Sequence, residues 1–111
     1  MRRVTVKRGL GFLVIFVLLA AGWVVAQQAP QAAVTIDGFT FKPGELTVAP
    51  GTEVTWTNKD GPAHTVSATD RSFDSGAVST DKTFKRKFEK AGTFNYGCQF
   101  HPTMTGKVAV K

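Results

Sequence analysis

At 111 residues the chain has room for one domain, and 14 Lys and Arg against 8 Asp and Glu give it a formal charge of +6. That excess is local: Arg2, Arg3, Lys7 and Arg8 supply four of the basic residues, and the remaining ten against eight leave only +2. With no basic cluster elsewhere on a recognition element, nucleic acid is not an expected partner. A single Cys excludes an internal disulfide, and neither a Ser-His-Asp set nor a carboxylate pair stands out, so no enzyme is expected.

Residues 1–26 read as an export signal. The basic start is followed by an uncharged, largely apolar run from Leu10 to Ala26, and Val24-Val25-Ala26 places small residues where a signal peptidase cuts. The rival reading is an uncleaved anchor, because seventeen residues reach the lower limit for crossing a bilayer. Either way the domain is expected outside the cytoplasm, in the periplasm or its equivalent. Residues 27–33, with Pro30 and three Gln, read as a flexible tether, and 34–111 as the folded domain.

From Val34 onward the chain is a series of short β-type runs broken by Pro and Gly, with no sustained helical period. Val34-Thr35-Ile36, Phe39-Thr40-Phe41 and Leu46-Thr47-Val48 come first. Pro43-Gly44 and Pro50-Gly51 suit type II turns. Thr52 to Asn58 alternates cleanly, with Val54 and Trp56 on one face, as a half-buried strand does. His64 to Ala68 is the next run, then a long polar connection from Thr69 to Asp81. Thr83 to Phe88 follows, where Phe84, Arg86 and Phe88 share parity, so either a bulge intervenes or Arg86 lies at a sheet edge. Lys82, Lys85, Arg86, Lys87 and Lys90 read as a solvated face and edge protection. Thr93 to Gly97 and Gly106 to Val110 complete seven or eight strands, the pattern of an all-β antiparallel sandwich. Its expected core is Ile36, Phe39, Phe41, Leu46, Val48, Val54, Trp56, Val66, Phe84, Phe88, Phe94, Tyr96, Val108 and Val110.

Chemistry concentrates between the last two strands. Cys98-Gln99-Phe100-His101-Pro102-Thr103-Met104 sets a thiol, an imidazole and a thioether at positions 1, 4 and 7 of one loop. His64 lies thirty-four residues upstream, between the turn Asn58-Lys59-Asp60-Gly61-Pro62 and a strand. Each alone has a bland reading: a lone Cys is usually a small buried hydrophobe and a Met a gap-filler. Beyond residue 26, however, the chain has one Cys, two His and one Met in all, and every one falls in this set. Cys, two His and a Met are the donors of a mononuclear blue-copper site. Metal ligation also accounts for an unpaired thiol in an exported protein.

The segments Asn58 to Val66 and Tyr96 to Val108 resemble the two ligand segments of the small cupredoxins, the family of plastocyanin and amicyanin. The two-residue gaps on either side of His101 match the short amicyanin-like loop, and the likeness covers about Val34 to Lys111. Thr65 and Ala63 depart from the family, which has Asn after and Pro before the first ligand His. The side-chain tie that Asn makes between the two ligand segments is therefore not implied here.

The resemblance implies a Greek-key sandwich holding one copper ion. Cys98 would supply the thiolate, His64 and His101 the imidazoles, and Met104 a weak axial sulfur. It implies a hydrogen bond from the Thr65 amide to the Cys98 sulfur. Asn58 either fixes the turn beside the site or is an ordinary turn Asn. Electrons would leave through His101, framed by Phe100 and Pro102, in brief contacts with a redox donor and acceptor. The expected protein is a monomeric type 1 copper electron carrier. The alternative is a periplasmic copper carrier or storage protein, although such sites more often use several Met or His.

Overall fold

The computed structural model describes residues 28–111, so the export signal read into residues 1–26 lies outside the described residues. No helix among the described residues is long and apolar enough to cross a membrane. Eight strands form among the described residues: β1 (Gln31–Ile36), β2 (Phe41–Lys42), β3 (Glu45–Val48), β4 (Thr52–Asn58), β5 (Ser67–Ala68), β6 (Thr83–Phe88), β7 (Gly92–Gly97) and β8 (Thr105–Val110). They make two four-stranded sheets, ordered β2-β1-β4-β6 and β3-β8-β7-β5.

The sandwich is all-β as expected, but it is mixed rather than wholly antiparallel. β1 pairs parallel with β4, and β3 parallel with β8. Between β1 and β4 the chain crosses to the other sheet to lay down β3, so it returns beside β1 running the same way. A crossover through the opposite sheet replaces the helix that a parallel pair otherwise needs.

Period-two patterning fixes which faces meet. In β4, Thr52, Val54, Trp56 and Asn58 are buried while the residues between them are half-buried, the pattern of a central strand between β1 and β6. Trp56 is fully buried against Tyr96 across the sandwich, with ring centroids 5.4 Å apart and edge-to-face. Phe73, Phe84 and Phe88 also pack on Trp56. Such aromatic pairs add about 0.5–1.5 kcal/mol each beyond the area they bury. β6 runs in unbroken register with β4, so no bulge intervenes; β6 is an edge strand, and the Arg86 guanidinium lies 5.1 Å from the Phe73 ring centre. Lys85 and Lys87 are exposed along that edge.

Four expectations need correction. Gln31, Ala32 and Ala33, read as tether, are in β1 and pair with Glu53, Val54 and Thr55, because a parallel partner makes ladder bonds that composition alone does not announce. Pro50-Gly51 turns with Gly51 at φ +92°, but Gly44 stays outside the left-handed region that a type II turn requires. Phe73 and Val78, inside the polar connection, are buried. Phe39, expected in the core, is 47% exposed. It stands with Gly38 at the tip of the β1–β2 hairpin, and both have positive φ, as a tight primed turn demands.

Candidate metal centre

β7 ends at Gly97, and the chain loops through residues 98–104 before re-entering the sheet as β8. The loop is closed at its neck, where the Cys98 amide donates to the Met104 carbonyl at 3.1 Å, and inside, where the Met104 amide donates to the His101 carbonyl at 2.9 Å. Gly97 makes that closure possible: a Cβ there would stand 2.8 Å from the Met104 carbonyl oxygen. The loop thereby turns Cys98 and Met104 inward, both buried, and leaves His101 half-buried.

His64 enters from the other side of the sequence. Its backbone pairs with Val78 in an isolated antiparallel bridge, and its side chain is completely buried. Asn58 holds the turn leading to it: its Nδ2 donates to the Pro62 and Val78 carbonyls at 3.0 and 2.9 Å, and its Oδ1 accepts the Asp60 amide at 2.8 Å.

Donor atoms of His64, Cys98 and His101 all lie within 4.8 Å of one another. His64 Nδ1 and His101 Nδ1 are 3.2 Å apart, and Cys98 Sγ is 3.8 and 3.6 Å from them. Bonds of about 2.0 Å to nitrogen and about 2.3 Å to sulfur, arranged trigonally, would set such nitrogens about 3.5 Å apart and nitrogen from sulfur about 3.7 Å. The fold alone therefore brings the three atoms to metal-binding separations. Thiolate plus two imidazoles is a set that suits copper.

Around this cluster the structure adds a residue that sequence reading passed over. Asp60 Oδ2 lies 2.8 Å from His64 Nε2, while the Asp60 carboxylate also accepts the Gly38 and Phe39 amides at 2.7 and 2.8 Å. Burial pushes the Asp60 carboxyl up, but the Phe39 and Gly38 amides, with His64, outweigh it and hold it below its ordinary value of 3.8. An ionised carboxylate only accepts, so this contact suits the tautomer in which His64 Nε2 donates and Nδ1 faces Cys98 and His101 as an acceptor. The available signal was an acidic residue four positions before a ligand-type His within a turn.

Thr65 plays two parts. Its amide lies 3.3 Å from Cys98 Sγ, the hydrogen bond that the family resemblance implies. Its hydroxyl accepts the Gln99 amide at 2.8 Å, so the tie between the two ligand segments exists here, made by Thr in place of Asn. Thr65→Val is expected to orphan the Gln99 N–H and cost about 1–3 kcal/mol. Urea denaturation of the metal-free protein measures it, and an unchanged midpoint would show that the tie contributes no stability.

At the surface Phe100 is 53% exposed, Pro102 is exposed, and the two flank the half-buried His101. The exposed Phe39 joins them, its ring centre 4.9 Å from that of His101.

Residues 10–110 match the family model of the cupredoxin-like domain. Amicyanin-alpha of Methylorubrum extorquens is 34% identical over 101 residues, spanning 84% of this chain and 85% of that protein. The chloroplastic plastocyanin of Tetradesmus obliquus is 31% identical over 108 residues, 82% of this chain and 74% of that one. Among solved structures, a purple cupredoxin from Nitrosopumilus maritimus superposes with a TM-score of 0.68 at 31% identity, over 72% of this chain and 99% of that one. With two sheets of its own and a cluster of one cysteine sulfur and two imidazoles between their loops, the chain belongs to the cupredoxin family of small blue copper proteins, and its cofactor is one copper ion.

Proposed function

We propose that this protein is a type 1 copper electron carrier, in which the Cys98 sulfur and the His64 and His101 imidazoles would hold the copper and Met104 would add its thioether. Bound copper supplies the chemistry, passing one electron by cycling between Cu(I) and Cu(II). The chain's own contribution is to resist rearrangement, since every ligand bond that must shift raises the barrier to transfer. The observation that carries the reading is the convergence of Cys98 Sγ with two imidazole Nδ1 atoms at mutual separations of 3.2–3.8 Å. His64 is held by Asp60, Cys98 by the Thr65 amide and the loop neck, and Thr65 locks the two segments together.

Electrons then pass through the edge of His101 to a partner docked on Phe100 and Pro102. A small apolar surface favours brief, weak contact over a lasting complex. A redox-protein donor and acceptor, and an extracytoplasmic location, belong to the same reading, supported by the basic start and apolar run of residues 1–26. A copper carrier or storage protein is the competing role; it calls for ready release, which a buried and clamped donor set opposes.

The test is to add one equivalent of Cu(II) to the metal-free protein and to its Cys98→Ser variant, and record the visible spectra. The expected result is an intense thiolate-to-copper band in the wild type and none in the variant. A pale wild type that nonetheless holds copper would favour copper handling over electron transfer.

A further inference from the structure

Phe39 is the residue that the electron-carrier reading leaves without a role. It is half-exposed, yet its ring makes edge-type contacts with both imidazoles, 5.1 Å from His64 at 84° and 4.9 Å from His101 at 89°. One side chain thus spans the two histidines whose Nδ1 atoms face each other. Its backbone is also unusual, with φ at +57°, where a bulky aromatic residue is a genuine outlier and Gly or Asn is the ordinary occupant. Strain of this kind persists only where surrounding structure imposes it.

The two-residue β1–β2 turn sets this φ, and the structure also contains what pins that turn beside the site. Asp60 takes the Gly38 and Phe39 amides on its two oxygens, and the oxygen that holds Phe39 also faces His64 Nε2. One buried carboxylate therefore fixes the orientation of a ligand imidazole and the placement of the turn beside it. The turn lies more than twenty residues away in sequence, so nothing local requires the ring to end there.

We infer that Phe39 is a cap on the copper centre, clamped over His64 and His101 by Asp60, which keeps water and competing chelators from the imidazole side and so retains the metal. This rests on copper being held by those two histidines. The apolar surround of a metal site governs solvent access to it, and Phe39 supplies that surround where the site comes nearest the surface. Phe39 is a positioning and shielding residue; it offers no donor atom.

Copper-loaded wild type, Phe39→Gly and Phe39→Tyr are mixed with excess EDTA, and decay of the visible band is followed; the metal-free forms are melted in parallel. Phe39→Gly is expected to lose copper at least tenfold faster, while its metal-free melting temperature stays the same or rises because Gly accepts positive φ. Phe39→Tyr, which keeps the ring, is expected to lose copper within about twofold of the wild-type rate. A merely structural Phe39 would show the reverse, a lowered melting temperature with copper loss unchanged, and that result overturns the cap. So does a Phe39→Tyr variant that releases copper as fast as Phe39→Gly. A wild type that takes up no copper overturns this inference and the electron-carrier reading together, whereas a blue wild type with an unaltered Phe39→Gly rate overturns the cap alone.

Discussion

Asp60→Ala is expected to destabilise the metal-free protein by about 1–3 kcal/mol, the range for leaving a buried donor without its acceptor. The carboxylate accepts three hydrogen bonds, from Gly38, Phe39 and His64, none longer than 2.8 Å. Without it the His64 ring nitrogen, on a side chain with no exposed surface, has lost its acceptor. Domains of this kind are stable by only about 5–15 kcal/mol, so the variant keeps a fraction of its margin. Asp60→Asn is a milder test, because an amide offers one acceptor and turns a donor toward the others.

Acid sensitivity follows from the same contacts. The folded Asp60 carboxyl lies below its ordinary 3.8, as the two amides and His64 outweigh its burial. A depressed carboxyl contributes stability that is fully present above the unfolded value and is lost as pH falls through the folded one. Asp60 therefore contributes to the fall of stability with acid only below about pH 3.8. Melting the metal-free protein between pH 6 and pH 2.5 should give a steep acid limb in the wild type and a shallower one in Asp60→Ala. Parallel limbs in the two proteins would show that Asp60 is not the responsible group.

Asp60 and Phe39 also mark the boundary of what the residues announce by themselves. The cluster of His64, Cys98 and His101 was legible because Cys and His are scarce, so their spacing stands out, and the β4 strand was legible because its period of two reaches all the way from Thr52 to Asn58. Asp60 looked like any turn acid, since its partners at Gly38 and Phe39 lie 22 and 21 residues away and no period connects them. Phe39 looked like core because it alternates with Phe41, yet the chain reverses between β1 and β2 and breaks that alternation. Phe73 escaped notice for the opposite reason: it is a single aromatic in a polar stretch, buried because Trp56 and Phe88 receive it across the sandwich. In each case the missing information was which distant segment lies alongside, which tertiary pairing decides and local pattern does not.

Gly97→Ala is expected to disturb the copper centre while sparing the sheet, and Gly106→Ala to do the opposite. A Cβ at Gly97 meets the Met104 carbonyl oxygen at 2.8 Å, a backbone atom that cannot swing aside. That oxygen accepts the Cys98 amide and closes the ligand loop, so relief must come from moving Met104 relative to Cys98. The predicted result is a cost of about 1–3 kcal/mol, together with a shifted thiolate band and an altered reduction potential of the copper-loaded protein, since Met104 and the surroundings of the Cys98 sulfur would tune both. At Gly106, on the facing strand, an added Cβ runs into the Tyr96 ring instead. Tyr96 packs edge-on against Trp56 and Phe41, with ring centres 5.4 and 4.8 Å away, so it can yield only by shifting those contacts. Gly106→Ala should therefore cost about 3 kcal/mol, the upper end for overpacking, with the copper spectrum of the folded fraction close to wild type. Tyr96→Ala in that background should cost less than in the wild type, because the two changes share one space, and a double-mutant cycle reads the difference. If Gly97→Ala left both band and potential unmoved, the closed neck of the loop would not be what fixes Met104 against Cys98.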